Sequence, residues 1–461
     1  MNDTLPPRKT VMALATLGML VTLPQAFPQL ANYRVFDWSS VPEVLDFVPR
    51  RISSEPLAEE NARLRPDLQP DKLSEAKLQD PFGNMDLFYA ALLHTERKDP
   101  DAVTRILHFG DSPTTADLIT SDARALLQMR FGDAGHGSYL IAKPWAWYDH
   151  RGIGNSAGGW SILPATQRGE KDGIYGLAGV SFRGSEGAWA RFTLRDAGSS
   201  HVSVSYLASP GAGRVELVAD EETIDTIDTD LPAPLVTEQR FRIPAGTRTL
   251  QLKVVRGSVR LFRVSLEKDG PGVVYHSLGL NGAHTAMLAW HFDAGHFSEQ
   301  LRQTKPNLVI INYGTNESVY PSYVETSFTK DLTTALRRIR SAVPEASILV
   351  MSPMDRGIRQ PGGAIGTVPV LPQLVALQSR VAAEEKVAFY NTFQAMGGPG
   401  TMARWYQAEP RLVSADFIHP LPNGAKIVGN LLYQALMEGY NRYKLKQLRR
   451  IAASTAMETA R

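Results

Sequence analysis

The chain has 461 residues, enough for two or three domains with full cores, and its 43% hydrophobic and 21% charged content is ordinary for a globular protein. A formal net charge of +2 supplies no electrostatic footprint for nucleic acid. The absence of cysteine excludes disulfides, thiolate metal sites, a cysteine nucleophile and lipidation at cysteine.

At the N-terminus, Arg8 and Lys9 precede an apolar run at residues 11–23, "VMALATLGMLVTL". A basic flank and a run this short match a secretory h-region better than a spanning helix. Pro24-Gln25-Ala26 lacks the small residue expected three positions before a cut. Residues 1–35 are therefore expected to be a signal peptide or an uncleaved signal-anchor, carrying the chain to the periplasm or cell envelope. Residues 36–100 read as a proline-rich linker with short helices, one of them spanning 85–97.

The next stretch opens an α/β domain at 101–150. "VTRILHFG" reads as a buried strand, and "TADLITSDARALLQMRFG" as a helix closed by Gly132. Between 151 and 272 the pattern changes to short alternating runs, "HVSVSYLA", "GRVELVAD" and "RTLQLKVV" among them, separated by Gly, Pro and Asp. That texture predicts an all-β, jelly-roll-like sandwich. From 273 to 445, apolar strands such as "PNLVIINYGTN" and "ASILVMSPM" alternate with amphipathic helices, the sign of a parallel sheet with helices on both faces. The simplest architecture is one α/β domain interrupted by the sandwich after its first βα unit. Residues 446–461 form a basic tail, expected to be a solvated helix end.

In a parallel sheet, functional residues gather at the carboxyl ends of strands. Gly110-Asp111-Ser112 places a hydroxyl there, at the start of a helix. A serine needs a base, an orienting acid and an oxyanion site to act as a nucleophile. Asp416 and His419, three apart at a helix entrance, can share a face and supply acid and base. Asn316, in Gly-Thr-Asn-Glu after another strand, offers a neutral carboxamide donor. In "HSLGLNGAHT", either Gly279 or Gly282 can give a backbone N–H to the same oxyanion.

The joint order, Gly-Asp-Ser, a Gly loop, Gly-x-Asn and then Asp-x-x-His, resembles the SGNH or GDSL-type hydrolase superfamily. The resemblance implies an SGNH-hydrolase-like, flavodoxin-like sheet. Ser112 is then the nucleophile, His419 the base and Asp416 the orienting acid. The oxyanion hole is formed by Ser112 N–H, Gly282 N–H and the Asn316 side chain. Gly282 is preferred to Gly279 because "GLNGAHT" looks like the family's second block. Two departures stand out: Gly-Thr-Asn-Glu replaces the common Gly-x-Asn-Asp, and Pro113 follows the serine. The GTNE form, "LLQMRFGDAGHG" and the inserted sandwich look like exported peptidoglycan O-acetylesterases, in which the insertion resembles a carbohydrate-binding module. The implied activity is removal of O-acetyl groups from a cell-envelope polysaccharide, with no cofactor. An O-acetyltransferase using the same residues, or a non-catalytic carbohydrate-binding protein, is the alternative.

Other features carry less chemistry. His276, His284, His291 and His296 have no familiar ligand spacing, so no metal is expected, although His284 borders the Gly282 loop. Trp145, Trp147, Tyr148 and Trp160 either stack on sugar or fill a domain seam. The acidic run 220–230 lacks the pattern of a calcium loop and reads as a solvated edge. The expected partner is an O-acetylated polysaccharide, with membrane contact only through the N-terminal segment.

Overall fold

The computed structural model describes residues 77–167, 171–196 and 198–459. The expected signal segment and most of the linker lie outside the described residues. Among those described, no helix is long and apolar enough to cross a membrane.

In chain order, helix α1 (Asp86–Glu96) leads into strand β1 (Val103–Gly110), the short helix α2 (Ser112–Thr115) and α3 (Thr120–Phe131). Nine strands follow, β2 (Gly137–Tyr139), β3 (Ile153–Pro164), β4 (Val180–Leu194), β5 (His201–Ala208), β6 (Arg214–Ala219), β7 (Glu222–Asp228), β8 (Leu235–Arg242), β9 (Thr249–Arg256) and β10 (Ser258–Glu267). The chain then returns through β11 (Gly272–Gly279), α4 (Ala294–Thr304), β12 (Leu308–Asn312), α5 (Phe328–Ala342) and β13 (Ser347–Met351). It ends with α6 (Leu371–Glu384), β14 (Ala388–Tyr390) and the long α7 (Pro422–Thr459).

β11, β1, β12, β13 and β14 lie in that order in a sheet whose pairs are all parallel. Continuous apolar runs suit strands covered on both faces. Successive residues of β1 show this: Leu107 and Phe109 enter a core with Phe297, Leu332, Leu336 and Leu374 of α4, α5 and α6. Ile106 enters another core with Phe88, Leu127, Val428 and Leu432 of α1, α3 and α7. This is the flavodoxin-like α/β sheet expected from the sequence. β1 and β12 flank its switch point, where ligand sites form.

The insertion is all-β. β4 shows why it folds over on itself: its first half pairs with β10 and its second half with β9. The register slips opposite it, between Gly158 and Trp160 of β3. A strand that changes partners in this way makes the corner between two packed layers. Alternating inward residues, Ala188, Ala190, Phe192 and Leu194, then line the interior. The antiparallel pairing begins earlier than residue 151, because β2 pairs with β10. Three residues are too few to show a period, which is why the sequence left β2 unread. The acidic run at 220 forms a hairpin between β6 and β7, where Asp220 accepts from the backbone N–H of Arg248 and Thr249.

Toward the C-terminus, the basic stretch is a continuation of α7, not a separate tail. Lys444 pairs with Glu96 at 2.8 Å, and Lys446 with Asp86 at 2.7 Å, tying this helix to α1.

Several histidines are buried. His108 rests against the Tyr275 hydroxyl at 2.6 Å, and His150 contacts His136 at 3.3 Å. Burial pushes both His108 and His150 down to about 4. An unfolded histidine titrates near ~6.5, so between these values the unfolded chain binds more protons. Their contribution to stability is complete above that range and is lost as pH falls through it. The thermal unfolding midpoint should therefore drop between about pH 7 and pH 5. A midpoint that holds level or rises would contradict their neutral burial.

Candidate active site

Ser112 is the first residue of α2, immediately beyond the end of β1. Its N–H has no acceptor within the helix, as at any helix start. Pro113 occupies the first turn without breaking it, since a missing N–H costs nothing there. The close seat of α2 on β11 depends on Gly279, where a Cβ would lie 2.2 Å from Thr115 N. Gly279 is thus a packing glycine.

Gly282 has a different reason to be glycine. Its φ of +75° favours a residue without a Cβ, and Gly282 itself is exposed. Asn316 reaches this loop: its Nδ2 donates to Ala283 O at 2.8 Å, leaving a second N–H free for another acceptor. Glu317 secures the same junction. Its Oε1 accepts from Thr285 N at 2.8 Å and Thr285 Oγ1 at 2.7 Å, while the side chain is fully enclosed. Burial raises the Glu317 carboxyl above its ordinary value. Burial also pushes Asp111 up to about 6, against a hydrogen bond from the Thr315 side chain.

The third loop brings Asp416 and His419 to Ser112. Ser112 Oγ lies 2.7 Å from His419 Nε2, and His419 Nδ1 lies 2.5 Å from Asp416 Oδ2. Asp416 Oδ1 accepts from Ile418 N at 2.9 Å and His419 N at 3.1 Å, and also from the Ser414 hydroxyl. Burial alone would raise the Asp416 carboxyl, but the bonds from Ser414, His419 and Ile418 hold it well below the usual carboxylate range. The loop is closed by Ser414 N donating to His419 O at 2.9 Å. Such a chain can draw the hydroxyl proton onto the ring and stabilise the imidazolium against a fixed carboxylate. The residues come from segments separated by 307 positions in sequence, brought together only by the sheet.

The remaining candidates divide. Trp147 is exposed, while Trp145 and Trp160 are half-buried and packed against the core. The Trp160 indole donates to Trp189 O at 2.7 Å. Tyr148 corrects the expectation of a sugar-stacking ring: it is 2% exposed and its hydroxyl accepts from Leu140 N, so it is core. His284 meets the His291 ring edge to face at 5.4 Å beside Gly282. Among the described residues, Asp117, His136 and His150 form one cluster with metal-ligand geometry. Asp117 is already occupied there, paired with Arg124 at 2.5 Å and accepting from Thr120 and from Arg151 N. That arrangement is a buried ion pair flanked by two histidines. Sequence reading passed over Thr285, Ser414 and the role of Glu317. Only Glu317 had left a trace, as a departure from Gly-x-Asn-Asp.

Residues 245–427 match the GDSL-like lipase/acylhydrolase family. That span contains Gly282, Asn316, Asp416 and His419, whereas Ser112 lies before it, on the far side of the inserted strands. No curated protein matches the chain. Among solved structures, a peptidoglycan O-acetylesterase superposes with a TM-score of 0.68 at 22% identity, over 79% of this chain and 99% of that one. A salicylyl-acyltransferase from a tetracycline biosynthetic pathway aligns at 14% identity over 63% of this chain and 98% of its own, with a TM-score of 0.28. A family-two carbohydrate esterase from Clostridium thermocellum aligns at 12% identity over 62% and 98%, with a TM-score of 0.25. The first likeness establishes a shared fold; the other two carry no argument. The second part of the chain thus matches a GDSL-like acylhydrolase domain, and the fold is shared with an esterase along most of the chain's length, which together support a carboxylic ester hydrolase.

Proposed function

We propose that this protein is an exported serine esterase that removes O-acetyl groups from a cell-envelope polysaccharide, peptidoglycan first among them. The observation that carries the catalytic part is the continuous hydrogen-bonded line from Ser112 Oγ through His419 to Asp416. Ser112 attacks the ester carbonyl and His419 takes its proton. The oxyanion is held by Ser112 N–H, Gly282 N–H and the free N–H of Asn316 Nδ2. His419 then protonates the departing sugar oxygen, and water, activated by the same ring, hydrolyses the acetyl-enzyme. The fold shared with a peptidoglycan O-acetylesterase supports the polysaccharide part of the reading. The basic-then-apolar N-terminal segment supports export.

Acetate release by the full chain from O-acetylated peptidoglycan, with acetylated xylan alongside, tests this. The expected result is release from peptidoglycan at least about tenfold faster. Preference for xylan would move the substrate to another glycan. Acetyl transfer to an added sugar without free acetate would replace hydrolysis by acyl transfer.

A further inference from the structure

One cation beside this site has no ion-pair partner among the described residues. Arg356 is half-buried in the segment after β13. Its Nη1 donates to Thr315 O at 2.5 Å, directly before Asn316. The next residue is fixed to the opposite loop, where Gly357 N donates to Phe417 O at 2.9 Å, between Asp416 and His419. Val368 N donates to Arg356 O at 2.8 Å and holds the segment from a third side. The segment is thus anchored to the loop of the proposed base through its backbone, while the guanidinium is held on the loop of the proposed oxyanion donor.

Its electrostatic neighbours are Asp111, Asp416 and the Tyr320 hydroxyl. None of them neutralises it by direct pairing. Asp111 is buried and engaged with Thr315, and Asp416 is taken up by Ser414, Ile418 and His419. Burial is the largest influence on Arg356 and lowers it below the usual arginine range. Taking a guanidinium partly out of water without a counter-charge is unfavourable unless an anion completes it. Among the described residues its remaining donors meet no protein acceptor. A planar fork with free donors is suited to a carboxylate, which it can bind through two parallel bonds. Tyr320, 63% exposed and among the electrostatic neighbours of Arg356, adds an aromatic face such as a sugar ring would use.

We infer that Arg356 is a specificity-determining residue that binds a carboxylate carried by the ester substrate, so that the preferred substrates are anionic acetylated glycans. This rests on the esterase reading above. It deepens that reading by naming a charge the glycan must carry near its acetyl group.

The test compares sugar acetates that differ only in bearing a carboxylate or its carboxamide, at three spacings from the ester, using the full chain and its Arg356→Gln and Arg356→Lys variants. The wild-type protein should prefer the carboxylate at one spacing at least, and added salt should narrow the preference. Arg356→Gln should lower kcat/KM for that carboxylate roughly 10- to 100-fold more than for its carboxamide, mainly through KM, as expected for one charged hydrogen-bonded contact. Arg356→Lys should recover part of the discrimination. Equal loss on both members of each pair would overturn the inference and leave Arg356 only a positioning residue for Asn316 through Thr315. The absence of any wild-type preference would overturn it as well. If no ester is turned over by the wild-type protein, the esterase reading itself fails, and this inference with it.

Discussion

Replacing Ser112 with alanine should lower kcat on every ester substrate by on the order of 10⁶-fold, the loss expected when the nucleophile of a serine triad is removed. The oxyanion donors remain, so a residual rate of about 10³–10⁴ over water should survive. Ser112 Oγ bonds to His419, and the rest of the elbow is held by other groups, such as Thr115 Oγ1 donating to Asp111 O at 3.2 Å. The unfolding midpoint should therefore move little. Stopped acetate release with an unchanged midpoint is the expected pair of results. Activity within tenfold of wild type would remove Ser112 from the chemistry and leave the Gly-Asp-Ser turn as packing.

The second large effect belongs to Asp416. In Asp416→Asn, the retained oxygen can still accept from Ile418 N and His419 N, so the loop should keep its shape. The new amide would face His419 Nδ1, however, where a carboxylate oxygen now lies at 2.5 Å. An amide donor there requires the ring to carry its proton on Nε2, which turns the base away from Ser112. Loss of kcat by about 10⁴-fold is expected, as for other triads given the wrong tautomer. Asp416 is about half exposed, and water can relieve part of that constraint. The loss should thus be smaller than for Ser112→Ala. Kinetics on a small activated acetyl ester, with circular dichroism as a control for folding, would measure it. A loss below about tenfold would show Asp416 to be a loop-forming residue only.

The residues of the site were legible in the sequence through their joint order along the chain, since none of them is distinctive alone. Ser112 follows an apolar strand and begins a helix, Asn316 follows another such strand, and Asp416 and His419 stand three apart before a helix. Between Gly279 and Gly282 residue chemistry left both open and only the resemblance preferred Gly282; the structure shows how their surroundings differ. Gly279 ends β11 and is pressed against α2, whereas Gly282 lies beyond the strand with open space around it and a positive φ. Tyr148 was left open between two readings for a related reason. An aromatic in a loop between two domains has the same local signature whether it faces solvent or core, and only the packing of Leu140 and the β-insertion around it decided.

The sequence by itself determined what local pattern can determine: the alternation of period-two and helical segments, the place of the insertion, and the identities of four polar residues, two after strands and two before a helix. Those are properties of windows of a few residues, set by backbone geometry and side-chain periodicity. Only the tertiary structure decided how those ends meet. The order β11-β1-β12-β13-β14 sets Ser112 and Asn316 at neighbouring strand ends, and the loop before α7 then brings His419 to 2.7 Å from Ser112. The roles of Glu317 and Arg356 emerged at the same level. Burial, a missing counter-charge and a bond to another loop depend on residues far apart in the chain, and no local window contains them.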